Sequence, residues 1–209
     1  MLIGFTGVPG SGKTFSAHTM VGAWRAADFK FIIPPSDLGL SLKVKVVSFS
    51  EPIKKITNIL FPDWNENHLR GELKDVVDPN HGTSPRKVQQ VIGKSLMEIN
   101  NKLWSEYLFR KLDKEKVDYT ANNSLIIVDD VRFDSDFDAI KSRGGVMIGL
   151  TPGSNSPTVL TDEAKNYETE KHAARLVTKC DHTYNNNYDE HHTAAMKSFI
   201  LDIYNSFNS

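Results

Sequence analysis

Leu2-Ile3-Gly4-Phe5-Thr6-Gly7-Val8-Pro9-Gly10-Ser11-Gly12-Lys13-Thr14 is the stretch that decides the fold. Its first five residues are an apolar run that stops at turn residues, the pattern of a short buried strand. From Ser11 to Ala27 there is no proline, and Phe15, Ala17, Met20, Val21 and Trp24 recur at roughly helical spacing. Between strand and helix, Gly7 to Thr14 satisfies G-x-x-x-x-G-K-[ST] at every fixed position. Such a match arises by chance in on the order of one 200-residue chain in a hundred. Its setting, after a strand and opening a helix, is the one a phosphate-binding loop requires. Gly7, Gly10 and Gly12 let the backbone bend so that N–H groups converge on phosphate oxygens, and the helix N-terminus adds partial positive charge. Lys13 can reach the β- and γ-phosphates, and the Thr14 hydroxyl can coordinate Mg²⁺. Gly10, Ser11, Gly12, Lys13 and Thr14 are therefore candidate ligands of ATP and its magnesium.

Outward from the loop, strands and helices alternate. Lys43–Phe49 is β-branched and reads as a strand, and Glu51–Phe61 as a helix with Pro52 in its first turn. Pro62 to Thr83 is rich in Asp, Asn, Gly and His, a loop-rich excursion with one helical turn. Ser84 is an N-cap for a helix that opens at Pro85 and runs to about Leu112. Leu125-Ile126-Ile127-Val128 is the most apolar strand, without polar alternation, as a strand covered on both faces requires. A helix over Ser135–Arg143, a strand over Gly145–Leu150, a helix from Thr161 towards Lys179, a strand over His182–Tyr184 and an amphipathic helix over Glu190–Phe207 follow. This order predicts βαβ crossovers and an α/β fold with a mainly parallel five-stranded sheet between helical layers.

Composition narrows the function. The chain has 209 residues, enough for one domain with a substantial core, and 39% are hydrophobic against 24% charged. With 25 Lys+Arg against 26 Asp+Glu, no global field would hold it to a nucleic-acid polymer or an acidic membrane, so any anion must be bound by a local site. The single cysteine, Cys180, rules out an intramolecular disulfide. No apolar run approaches the ~20 residues of a membrane span. The start of the chain does not read as a secretory signal, so a cytoplasmic location is expected.

A nucleotide loop of this kind needs a carboxylate at a strand end to hold the metal. Asp129 and Asp130 follow the apolar strand, and adjacent strand-end residues point to opposite sides, so one of the two faces the magnesium. Length disfavours motor and helicase ATPases, and no N-K-x-D base-reading sequence of GTPases is found. A kinase of a small metabolite fits, with one polar excursion for the acceptor and another closing over the phosphates to exclude water.

Phe49-Ser50-Glu51-Pro52-Ile53-Lys54, Arg86-x-x-x-Gln90-x-x-Gly93, Asp130-Val131-Arg132-Phe133 and Thr169-Glu170, with Asp181 and Asn185 beyond, follow in order. Together they resemble the deoxynucleoside monophosphate kinases of large bacteriophages, from Leu2 to about Asn187. The resemblance implies a three-layer P-loop kinase fold spanning 1–209. Residues 51–112 would form an acceptor-binding helical insertion, 151–178 a lid, and the remainder the core. It implies transfer from MgATP to a deoxynucleoside monophosphate (dNMP), with Lys13, Asp130 and Arg132 catalytic and Thr14 and Asp130 on the metal. Ser50, Glu51, Lys54, Arg70, Arg86, Gln90 and Glu170 would contact the acceptor, Asn185 would flank the adenine, and Lys165, Lys171 and Arg175 would line the lid. If the protein is phage-encoded, its location is the host cytoplasm.

The chemistry of the residue types agrees. Arg86 and Gln90 are four apart and share a helix face, where a guanidinium fork can grip a phosphate while an amide reads a base edge. Alternative roles stay open: a solvated polar face for that pair, an ion pair of Arg132 with Asp134 or Asp136, and helix capping by Ser50. Gly93 would let a ligand or another helix approach closely. Tyr167 and His172 around Thr169-Glu170, and Lys94-Ser95 after Gly93, depart from the family's pattern. The rivals are a P-loop kinase of another small acceptor, such as dephospho-coenzyme A or a sugar acid, and a non-catalytic nucleotide-responsive module. The terminal helix could pack on the core or on a second copy in a homodimer.

Overall fold

The computed structural model describes residues 1–8, 10–25, 43–118, 124–153, 155 and 168–189, and then 191, 192, 194–196, 198, 199, 202 and 203. The chain divides into two compact units, residues 1–47 with 112–209 and residues 48–111.

The first unit is built on a five-stranded sheet in which every pairing is parallel, in the order β2-β3-β1-β4-β5. The strands are β1 (Leu2–Gly7), β2 (Lys43–Val47), β3 (Ser124–Val128), β4 (Val146–Pro152) and β5 (His182–Asn186). β1 and β3 are buried along their whole length, which is why neither alternates in polarity. Side-chain alternation then sorts residues between two helical layers. Ile3, Phe5, Leu125, Ile127, Val146, Ile148 and Leu150 form one buried cluster with Ala17 and Met20 of α1 (Lys13–Arg25) and with Met196 and Ile203 near the C-terminus. On the opposite face a Cβ on Gly4 would meet Ile140 Cδ1 at 2.5 Å, and one on Gly149 would meet Val177 Cγ1 at 2.9 Å. Small residues there let α6 (Asp134–Lys141) and α7 (Glu168–Val177) lie close to the sheet. Parallel strands bring Gly7, Val128, Pro152 and Asn186 to one edge, where open α/β sheets bind ligands.

The second unit is helical: α2 (Glu51–Leu60), α3 (Glu66–Leu69), a 3-10 turn at Glu72–Asp75, α4 (Pro85–Ile99) and the start of α5 (Leu103–Lys114). Ser84 Oγ accepts the Lys87 N–H and Pro85 opens α4, as the capping signal predicts. The single long helix expected from Pro85 to Leu112 is two helices. It breaks at Asn100, which leaves helical geometry (φ −150°, ψ 108°) while its Oδ1 accepts the Lys102 N–H at 2.9 Å. An asparagine side chain that serves its own backbone offers the chain an exit from the helix. Trp64 is the buried anchor, stacked on Phe61 at 4.1 Å and donating Nε1–H to Asp78 Oδ2 at 2.6 Å. Gly93 meets Ile53 of α2, 3.2 Å from a Cβ built upon it, and its carbonyl accepts the Trp104 indole N–H at 3.3 Å, so its close neighbours are protein.

Candidate active site

The loop after β1 takes the shape its glycines permit. Gly7 (φ +153°), Gly10 (φ +76°) and Gly12 (φ +80°) have backbone angles that side chains resist. At Gly12 space is short as well: a Cβ there would lie 2.1 Å from Asn186 Nδ2 and 2.7 Å from the Tyr188 hydroxyl. α1 begins at Lys13, immediately past the loop, so its unpaired N–H groups face the loop's concavity. Lys13 Nζ donates to the carbonyls of Gly7 at 2.6 Å and Val8 at 3.0 Å, lying back across the loop.

Thr14 Oγ1 donates to Asp129 Oδ2 at 3.0 Å. Of the two aspartates it is Asp129 that meets the hydroxyl, beside the Asp130 expected on sequence grounds. The Asp129 N–H continues the β2 ladder to the Val47 carbonyl at 3.1 Å, and the Val131 N–H bonds the Phe5 carbonyl at 3.0 Å. The extended backbone past β3 is thereby fixed, and alternation sends the two carboxylates to different surroundings. A hydroxyl beside a carboxylate is the oxygen donor set that a hard divalent cation takes. The buried Ser11 Oγ has no partner among the described residues, an orphan inside the loop. Loop, lysine and oxygen pair together fit a magnesium–nucleotide phosphate group.

Asp130 bears on Asp136, a buried carboxylate in the first turn of α6. Asp136 Oδ2 accepts the backbone N–H groups of Arg132 at 3.3 Å and Phe133 at 3.2 Å. Burial, with the Asp130 charge second, pushes the Asp136 carboxyl up to about 7 against the pull of those two N–H groups. Asp136 thus meets the Arg132 backbone, and the Arg132 charge also draws its carboxyl down. Asp134 is engaged by Arg175, and by Lys179 at 3.0 Å, and its carboxyl is held below the ordinary range by Lys179 and then Arg175.

Other candidates occupy varied settings. Asn185 faces Thr151, whose hydroxyl donates to Asn185 Oδ1 at 3.5 Å, whereas the next residue, Asn186, is buried and reaches the phosphate loop. Asp181 bonds Lys141 at 2.7 Å and the Met147 N–H at 2.7 Å, and these offset burial enough to hold its carboxyl low. That ties β4 to β5 as a structural brace. Within the helical unit Arg70 pairs with Glu51 at 2.5 Å and with Glu66 at 3.2 Å. Arg86 makes a two-pronged contact with Asp75 through Nε and, at 3.2 Å, Nη2. Ser50 precedes α2 without a side-chain cap bond; its hydroxyl lies 2.8 Å from that of Ser48. Lys54 and Gln90 are half-buried on α2 and α4. On α7 Lys171 is exposed and Arg175 is held by Asp134. Glu170 falls in the first turn of α7, Lys165 and the body of the expected lid lie outside the described residues, and Lys13, Thr14 and Arg132 stand as above.

Reasoning from sequence gave Tyr188 no role, named Asp136 only as an alternative ion-pair partner of Arg132, and chose Asn185 of the asparagine run rather than Asn186. The run at 185–187 carried the signal for Asn186, but one residue of strand register separates the side that faces the loop from the side that does not. Asp136 sits three residues after Phe133, the spacing of a helix-capping carboxylate.

A phosphate loop linking the central strand of an all-parallel sheet to its first helix, with a threonine–aspartate pair beside it, defines a P-loop α/β fold. The chain is similar to a protein of Acanthamoeba polyphaga mimivirus described as "Putative deoxynucleotide monophosphate kinase", 26% identical over 189 residues, 81% of each chain. No protein-family model matches. Among solved structures, a shikimate kinase from Aquifex aeolicus matches over 99% of this chain and 98% of its own, at 15% identity and a TM-score of 0.45. A dephospho-CoA kinase from Campylobacter jejuni matches over 100% and 98%, at 14% identity and a TM-score of 0.43. Among the described residues no helix is long and apolar enough to cross a membrane.

Proposed function

We propose that the protein transfers the γ-phosphoryl group of ATP to a deoxynucleoside monophosphate, giving the diphosphate. The observation that carries the reading is the phosphate loop with Lys13 lying across it and the Thr14–Asp129 pair alongside. The acceptor class rests on Arg86 and Gln90, four apart on α4, and agrees with the name of the mimiviral relative.

The acceptor's phosphate oxygen bonds to the γ-phosphorus as the bond to the bridging oxygen of the departing ADP breaks. No general base is required, because the acceptor is already an anion. Lys13 exchanges its loop carbonyls for phosphate oxygens. Thr14 and Asp129 would hold magnesium, which supplies charge neutralisation when bound. Arg132 offers a cation to the transferring group, its backbone held by Asp136, and Asp130 is the neighbouring catalytic carboxylate. Ser50, Glu51, Lys54, Arg70, Arg86, Gln90 and Glu170 bind the acceptor. Lys165, Lys171 and Arg175 belong to a lid over the phosphates, and Asn185 flanks the base of ATP.

The test is incubation with MgATP and each dNMP, with dNDP resolved by anion-exchange chromatography and Lys13→Ala run in parallel. Formation of a dNDP by the native chain and its loss in the variant support the reading. No dNDP with any dNMP, while dephospho-coenzyme A or a sugar acid is phosphorylated, replaces the acceptor. ATP binding without turnover of any acceptor leaves a nucleotide-responsive module.

A further inference from the structure

The turn that follows β5 lies against the phosphate loop. Asn186 is fully buried, and its Nδ2 donates to the Ser11 carbonyl at 3.2 Å. The Tyr188 hydroxyl donates to the Gly10 carbonyl at 2.5 Å, and the Tyr188 N–H returns to Asn186 Oδ1 at 3.1 Å. Tyr188 adopts φ +55°, a left-handed backbone that a bulky aromatic residue rarely takes. Strained positions of this sort persist only where the surroundings over-determine them, and they gather at functional sites.

The geometry assigns to Asn186 and Tyr188 the role of positioning residues that set the phosphate loop in its nucleotide-binding shape. In a planar trans peptide the C=O and N–H point in opposite directions. Fixing the Ser11 carbonyl towards Asn186 therefore turns the Gly12 N–H to the other side. The next peptide back is held at both ends: the Gly10 carbonyl by Tyr188, and the Ser11 N–H by the Val8 carbonyl at 3.1 Å. Gly12 is indispensable here for a second reason besides its φ, since any side chain would displace Asn186 and Tyr188. The same asparagine reaches β4, its carbonyl accepting the Gly153 N–H at 2.7 Å. One residue thus ties the loop to the point where the chain leaves β4.

This inference rests on the nucleotide-binding reading of the loop, so the experiment separates the two. Calorimetric titration with MgATP is run on the native chain and on Lys13→Ala, Tyr188→Phe and Asn186→Asp, with the Tm of each nucleotide-free chain measured alongside. Tyr188→Phe removes one hydroxyl and keeps the ring; it should weaken MgATP binding about 5- to 10-fold while Tm stays within about 2 °C. Asn186→Asp keeps the acceptor for Tyr188 but sets a carboxylate oxygen against the Ser11 carbonyl, and should weaken binding at least as much. The KM of the acceptor should stay within twofold in Tyr188→Phe, a split that a general loss of stability would not produce. Native-like MgATP affinity in Tyr188→Phe overturns the inference alone, even if Asn186→Asp fails to fold. Equal loss for nucleotide and acceptor overturns it too. A native chain that binds no nucleotide, like Lys13→Ala, overturns both readings.

Discussion

The phosphate loop and the helical unit over residues 48–111 hold their polar groups in opposite ways. In the loop the contacts are long-range: Thr14 meets Asp129, Ser11 meets Asn186 and Gly10 meets Tyr188, each partner more than a hundred residues away. In the helical unit both candidate arginines are matched by carboxylates of the same unit, Arg70 by Glu51 and Glu66, Arg86 by Asp75. A loop shaped from outside is pre-organised for its ligand. An arginine already gripped by a carboxylate must exchange that partner for a phosphate, and the exchange subtracts from the affinity gained. The comparison therefore predicts unequal consequences of substitution.

The largest effect belongs to the loop. Lys13→Ala should lower kcat/KM by about 10³-fold, since it removes the charge that we propose turns from the loop carbonyls to the transferring group. Steady-state kinetics over a range of ATP concentrations checks it; a loss below tenfold would place the nucleotide elsewhere. Next, Arg86→Ala should raise the KM for dNMP by roughly 10- to 100-fold, the range of a charge-assisted hydrogen bond, with ATP affinity within twofold. An equal loss for both ligands breaks the distinction between the two units.

The partners of these residues sharpen it. Asp129→Asn should raise the magnesium concentration needed for half-maximal activity about tenfold, and Asp130→Asn much less, because only the former meets Thr14. The reverse order would return the metal to Asp130. Asp75→Asn should lower the KM for dNMP severalfold by freeing the Arg86 fork from a charged competitor. An unchanged KM means that the carboxylate contributes nothing to the exchange.

An effect on stability rather than on catalysis is a pH dependence at the junction of β3 and α6. Asp136 titrates near 7 in the folded chain and near the ordinary carboxylate value when unfolded. Between those values the folded state retains a proton that the unfolded state has lost, so this group's stability contribution is complete below the lower value. It declines as pH rises and levels off above about 7. Asp136→Asn keeps an oxygen for the Arg132 and Phe133 N–H groups without the charge. Its Tm relative to the native chain should therefore be higher at pH 8 than at pH 4.5, by scanning calorimetry without nucleotide. A pH-independent difference refutes the assignment.

Most of the architecture was legible because it is written in local patterns. The G-x-x-x-x-G-K-[ST] signature, the unbroken apolar runs of β1 and β3 and the Ser84-Pro85 start of α4 each act within a few residues. Asn100 defeated the same kind of reading, since its side chain's bond to a backbone two residues on outweighs the helical tendency of its neighbours. The charged and amide side chains of the site were harder still. An aspartate, asparagine or arginine has the same local signature whether it faces a ligand, an ion-pair partner or solvent.

By itself the sequence determined the class: a parallel α/β sheet, a phosphate loop at the end of its first strand, and a lysine and threonine at fixed places on that loop. Those properties depend on backbone freedom, hydrophobic period and spacing, which are local. Only the tertiary structure decided that Asp129 rather than Asp130 meets Thr14, that Asn186 rather than Asn185 turns to the loop, and that Arg86 is held by Asp75. In an extended chain successive side chains point to opposite sides, so a choice between neighbours is made by what lies across the sheet edge, and the nearest stretch of sequence does not contain it.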